Sequence, residues 1–179
     1  MKKVFLDGGF NKGESLDHFI NIVPDAHEWE IHAFEPDDRV TENFDNYKDK
    51  FDNIVFHKEA IWTTNDGVKF YFANAPYGNT IIKEKTTGGI NENNSKMLPS
   101  IDLAEFIKTN FKKNDYIILK LDIEGAEYKL LQHLYDDNEV VDYIDDLFVE
   151  FHHHKVIKSL RENEHDDIIK LYKGLGFEN

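Results

Sequence analysis

The chain has no cysteine, so disulfides, zinc–thiolate centres and cysteine nucleophiles are excluded. Proline is scarce, with 4 in 179 residues, which leaves no proline-rich linker. Positive charge is also in short supply: Lys+Arg total 21 against 35 Asp+Glu, for a formal net charge of −14. Nucleic acid and anionic membrane both call for a basic face, so neither is expected as a partner. No run approaches the roughly 20 apolar residues of a membrane span. Met1-Lys2-Lys3, followed closely by Asp7, does not open a signal peptide. The expectation is a soluble protein of the cytoplasm, or of a host cell's cytoplasm were the source viral. No internal repeat is present. The length suits one domain over residues 1–179, and 40% hydrophobic residues supply its core.

The most informative segment is Val4-Phe5-Leu6-Asp7-Gly8-Gly9-Phe10-Asn11-Lys12-Gly13. Three apolar residues lead into an acid, then glycines, then the helical spacing of Leu16, Phe19, Ile20 and Val23. That pattern predicts a buried strand, a tight turn and a helix over 14–23. Further strands are expected at 30–34, 54–57, 68–72, 116–122 and 147–151. Helices are expected at 40–47, at 100–111 with Ser100 as N-cap, at 126–134 and at 166–175. Residues 73–96 are the least regular part, and a loop that long is usually functional or disordered. Strands alternate with helices, and the best strands are continuous apolar runs, as in a parallel α/β sheet. Ligands of such sheets sit beyond the carboxyl ends of the strands. Asp7, Glu35, Glu59, Asp122 and Glu150 all fall at or just past such ends.

The turn does not match G-x-G-x-x-G or G-x-x-x-x-G-K-[ST] but reads D-x-G-x-x-x-G through Asp7, Gly9 and Gly13. Glu35 follows roughly 20 residues later, the place of an acid that accepts hydrogen bonds from ribose hydroxyls. The glycine spacing speaks against a nicotinamide-dinucleotide enzyme, as does the lack of a second dinucleotide half. A catalytically silent domain that binds only a ligand or a partner is a third reading, and the intact acidic rim argues against it.

Four segments in order, Phe5 to Gly13, Ala33-Phe34-Glu35-Pro36, Leu119 to Glu127 and Val149-Glu150-Phe151-His152, resemble the FkbM family of S-adenosylmethionine-dependent methyltransferases. The resemblance covers nearly the whole chain, and Lys120-Leu121-Asp122-Ile123-Glu124-Gly125-Ala126-Glu127 is its most specific part. It implies a Rossmann-like fold with a mostly parallel central sheet flanked by helices. It also implies O-methylation of a small molecule, with a sugar or glycan hydroxyl expected. By the same resemblance, Asp7, Gly9 and Gly13 line the methionine part of the cofactor, beside Gly8, Asn11 and Asp122. Glu35, with Pro36, holds the ribose. Glu59 and Ala60 sit by the adenine, with Ile61 or Trp62 on its face. The C-terminal antiparallel hairpin usual in methyltransferase sheets is expected to be absent or truncated, which leaves open a homodimer or a longer parent chain.

The strand ends carrying Asp122, Glu150 and His152 offer hard oxygen and imidazole donors suited to Mg²⁺ or Mn²⁺. A cation there would lower the pKa of an acceptor hydroxyl. Without metal, Asp122 or a histidine, His152 or His153, serves as general base. Adjacent histidines point to opposite sides of an extended chain, so His152, His153 and His154 do not all share one site. Lys120 is expected to pair with Asp122, and Glu127 to be a first-turn acid favoured by the helix dipole. The acceptor is assigned to a flap around Tyr77, Asn79 and Thr80, with Glu124 and His153.

Overall fold

The computed structural model describes residues 1–40, 42–48, 51–156, 160 and 163–177. In chain order the strands are β1 (Lys3–Gly8), β2 (Glu30–Phe34), β3 (Ile54–His57), β4 (Ala60–Trp62), β5 (Val68–Tyr71), β6 (Ser95–Leu98), β7 (Ser100–Asp102), β8 (Tyr116–Leu121) and β9 (Asp146–Val149). The helices are α1 (Glu14–Ile22), α2 (Glu42–Lys48), α3 (Leu103–Asn110), α4 (Glu127–Asp136) and α5 (Glu164–Gly174). The helix expected at 40–47 includes residue 41, which lies outside the described residues, as do the last two residues of the chain.

Five strands form one parallel sheet in the order β3-β2-β1-β8-β9. Both faces are covered, which explains the continuous apolar runs. Successive residues of β1 serve opposite faces: Val4 and Leu6 join a core with α3, α4 and α5, while Phe5 joins one with α1 and α2. Among the described residues no strand follows β9, and β9 forms one edge of the sheet.

Of the small pairs, the sequence predicted β5, expected at 68–72, but not β4, β6 or β7. β4 runs parallel to β7, and β5 runs antiparallel to β6. Ser100 is therefore a strand residue and not the helix cap. Its hydroxyl donates to the Thr64 carbonyl at 2.6 Å and accepts from Gly67 N–H at 3.0 Å. The cap is Asp102, which accepts from Ala104 and Glu105 N–H at 3.0 and 3.2 Å. Three-residue strands are too short to show a period of two, so a neighbouring helix pattern masks them.

The turn after β1 is set by backbone geometry. Gly9 has φ +82, and a Cβ there would run into the Asp122 carbonyl oxygen beyond β8. Its N–H, like that of Phe10, donates to the Phe34 carbonyl. The turn thus sits wedged between the ends of β2 and β8. Gly9→Ala combines a left-handed backbone with a clash against main chain. A loss of roughly 2–3 kcal/mol in urea unfolding is expected. An unchanged midpoint would show that the turn yields.

Candidate functional site

The carboxyl ends of β1, β2 and β8 border a cavity of about 480 Å³. Its walls come from the glycine turn (Gly9, Asn11, Lys12), from Glu35 and Pro36 after β2, and from Ala60 and Ile61 of β4. Tyr77, Asn79 to Ile81, Asp122 to Glu124 and Glu150 also line it. Asp7, Gly8, Gly13 and Glu59 do not line it. Asp7 is fully buried behind the wall: its Oδ2 accepts from the Ser15 hydroxyl at 2.7 Å, and its Oδ1 lies 3.0 Å from Lys120 Nζ. Gly8 is packed against Ile61 and the end of β8, and Gly13 caps α1 beneath the Tyr47 ring. Glu59 immediately precedes Ala60, and neighbours on an extended chain face opposite ways.

Lys120 is the hub of this end of the sheet. Asp7 and Lys120 are register partners on adjacent strands, so the expected pairing with Asp122 is secondary, at 3.7 Å. The same ammonium donates to the Gly9 carbonyl at 3.1 Å. One cation thereby ties β1, its turn and β8 together.

Glu35 lies at the far end of the cavity. Its Oε2 accepts from Asn11 N–H at 3.0 Å and its Oε1 from Asp37 N–H at 2.9 Å. Burial dominates and raises its pKa to about 7, against the pull of the two N–H groups. Each oxygen keeps a lone pair for a donor in the cavity.

The opposite pole is built by Asp122, Glu127, Glu150 and His152. Glu127 is fully buried, unlike a simple dipole-favoured surface acid. It accepts from Ile123 N–H at 3.0 Å and Gly125 N–H at 2.9 Å, and its Oε1 is 2.8 Å from His152 Nδ1. Burial would lower the His152 pKa, but Glu127 outweighs it and the net shift is upward. With Nδ1 fixed, Nε2 points at Glu150 Oε1, 3.4 Å away, and Asp122 Oδ1, 3.7 Å away. Burial also raises the Asp122 carboxyl. His153 is elsewhere: it is exposed and stacked on His165, with ring centroids 4.6 Å apart. His154 is exposed as well.

Glu124 joins this pole at φ +56, a backbone strained for a non-glycine residue. It could share a cation with Asp122 and His152, but both its oxygens already meet ammonium groups. Lys85 lies 2.6 Å from Oε2, and Lys155 lies 2.9 and 3.0 Å from Oε1 and Oε2. Burial opposes ionisation of Glu124, yet these lysines prevail and hold its pKa low. Neither lysine was singled out by sequence, because each lies in a segment without periodicity.

The sequence matches the family profile described as a methyltransferase FkbM domain over residues 7–178. The chain belongs to the FkbM methyltransferase family. Its fold is similar to the crystal structure of methyltransferase FkbM from Methylobacillus flagellatus KT. The TM-score is 0.51 at 15% identity, covering 95% of this chain and 37% of that one. At that identity the likeness concerns the fold, and this chain spans about a third of the length of the other. No curated protein is matched. Among the described residues, no helix of this FkbM-family chain is long and apolar enough to cross a membrane.

Proposed function

We propose that this chain is an S-adenosylmethionine-dependent O-methyltransferase acting on a hydroxyl of a sugar or glycan. The observation that carries the reading is one cavity lined both by a fixed, buried acid, Glu35, after β2 and by Asp122 and Glu150 after β8 and β9, with the buried His152 ring behind those two carboxylates. The residues present fit the cofactor. Glu35 has lone pairs for two ribose hydroxyls, Ala60 and Ile61 give an apolar wall for adenine, and the Gly9 turn lets backbone approach closely. When bound, S-adenosylmethionine supplies a methyl group on a sulfonium, which passes to an oxygen lone pair and leaves a neutral thioether. The chain must then orient the acceptor oxygen and take its proton. Tyr77, 63% exposed at the cavity mouth, offers an aromatic face for the apolar side of a sugar ring. The carboxylates of the pole accept hydroxyl donors and repel anionic acceptors.

The pole also suits a divalent cation. Asp122, Glu150 and His152 would hold Mn²⁺ or Mg²⁺. His152 Nε2 lies 3.4 Å from Glu150 and 3.7 Å from Asp122, near the roughly 3–3.5 Å edges between ligands of one small ion, and the donors that lie mutually within 4.8 Å are those of Asp122, Glu124 and His152. Glu127 on the far nitrogen of His152 is the carboxylate–histidine arrangement that orients metal-bound imidazole. Lewis acidity would then lower the acceptor hydroxyl's pKa.

Two measurements test this reading. Calorimetric titration should show binding of S-adenosylmethionine and S-adenosylhomocysteine but not of NAD or NADP; the reverse result overturns it. Labelled methyl transfer to a panel of methyl glycosides should be lost on exhaustive chelation and restored by Mn²⁺ in wild type but not in Asp122→Asn. Activity that survives chelation removes the metal and leaves Asp122 or His152 as the base.

A further inference from the structure

Residues 76–86 carry no regular strand or long helix, yet Asn79, Thr80, Lys85 and Thr86 are tied by hydrogen bonds to distant parts of the protein. Asn79 is buried. Its Oδ1 accepts from Ala73 N–H and from Arg39, both at 2.9 Å, and its Nδ2 donates to Asp37. Asp37 in turn donates its N–H to Glu35. Thr80, also buried, donates its hydroxyl to the Glu124 carbonyl at 2.8 Å and accepts from Ile82 N–H at 3.0 Å. The Lys85 side chain is 1% exposed, and its ammonium bridges the Gly78 carbonyl, at 2.5 Å, and the Glu124 carboxylate. Thr86 ties the segment to the turn after β9, its N–H and hydroxyl both donating to the Lys155 carbonyl, at 2.7 and 3.0 Å.

A buried lysine is costly unless its charge is compensated. Here burial pulls the Lys85 pKa down, while Glu124 holds it up. Such a group is worth keeping only if its cross-link serves a purpose. The cross-link joins one side of the cavity to the strained turn after β8, and Lys155 locks the same carboxylate from the β9 side.

We infer that residues 76–86 form a strap walling the acceptor side of the cavity, held by two clasps: Asp37–Asn79 at one end and Lys85–Glu124–Lys155 at the other. Asn79 and Glu124 are thus positioning residues whose own hydrogen-bonding capacity is spent on the clasps. Tyr77 and Ile81 are left to meet the acceptor. This rests on the methyltransferase reading for what the strap contacts, but not for the clasps themselves. Opening the second clasp should loosen the acceptor wall and leave the Glu35 end in place.

The test uses Lys85→Met and Glu124→Gln, with Lys85→Arg as the variant that retains charge. Amide hydrogen exchange over 76–86 should rise about tenfold or more in the first two and stay slow in Lys85→Arg. Exchange in β1 and β2 should not change, and in Lys85→Met S-adenosylhomocysteine affinity should stay within about twofold of wild type. With the best-accepted methyl glycoside, acceptor KM in Lys85→Met should rise about tenfold while kcat changes little. Unchanged exchange over 76–86 in both variants overturns the clasp. An equal loss of S-adenosylhomocysteine affinity overturns it too, since the strap would then be part of the cofactor wall. If no glycoside is methylated, the proposed function fails while the exchange result still decides the clasp.

Discussion

Replacing Glu127 by alanine should destabilise the protein more than any other single change at the site, by roughly 3–5 kcal/mol. The residue is fully buried and serves three donors at once: Ile123 N–H, Gly125 N–H and the His152 ring. Alanine leaves two backbone N–H groups and one imidazole without their carboxylate partner in a fully buried site. A typical domain has only about 5–15 kcal/mol of net stability, so the loss is a large share of the total. Glu127→Gln keeps the volume and one acceptor oxygen but turns an amide N–H₂ toward donors. It should cost less, roughly 1–3 kcal/mol. Urea unfolding followed by near-UV circular dichroism would measure both. If Glu127→Ala costs under about 1 kcal/mol, the turn after β8 has another source of rigidity and Glu127 does not organise it.

Cofactor affinity should depend steeply on Glu35 and on pH. Glu35→Ala removes the charged acceptor assigned to two ribose hydroxyls. S-adenosylhomocysteine should bind more weakly by roughly 1.5–3 kcal/mol, about 10- to 150-fold. The unliganded carboxyl titrates at about 7, and the ionised form accepts the hydroxyls. Affinity should therefore be highest above pH 7 and fall towards tenfold for each unit below it, since only the ionised fraction is competent. Stability runs the other way. A carboxyl whose folded pKa exceeds its ordinary 4.5 stabilises the fold fully below 4.5, and that contribution is lost as pH rises towards 7. Binding the cofactor and protonating Glu35 thus compete. A flat affinity profile between pH 6 and 8, or Glu35→Gln retaining the wild-type profile, would remove Glu35 from the ribose site.

The parallel sheet was legible because its evidence is local. β2 and β3 span the predicted residues, and β1, β8 and α1 differ from prediction by a few end residues. Apolar runs that end in acids mark strands whose carboxyl ends meet a ligand rim, and a D-x-G-x-x-x-G turn marks the first crossover. The placement of Asn11, Glu35, Ala60, Asp122 and Glu150 around one cavity follows from those strand ends. β4, β6 and β7 were not legible. Each has three or four residues, and its partner lies elsewhere in the chain.

What sequence alone determined is the family, the acids at the carboxyl ends of the parallel strands, and the exclusion of thiol chemistry. These depend on residue type and short spacing, which a chain displays before it folds. Only the tertiary structure decided which charges meet. It sent Lys120 to Asp7 because the two are register neighbours, and buried Glu127 under His152 while His153 turned away to His165. It also brought Lys85 and Lys155, 70 residues apart in the sequence, onto the same carboxylate of Glu124. Pairings of that kind have no signature in spacing. A buried ion pair is fixed by strand register and by the path of the connecting segments, and both are set only when the two sides of the cavity close on each other.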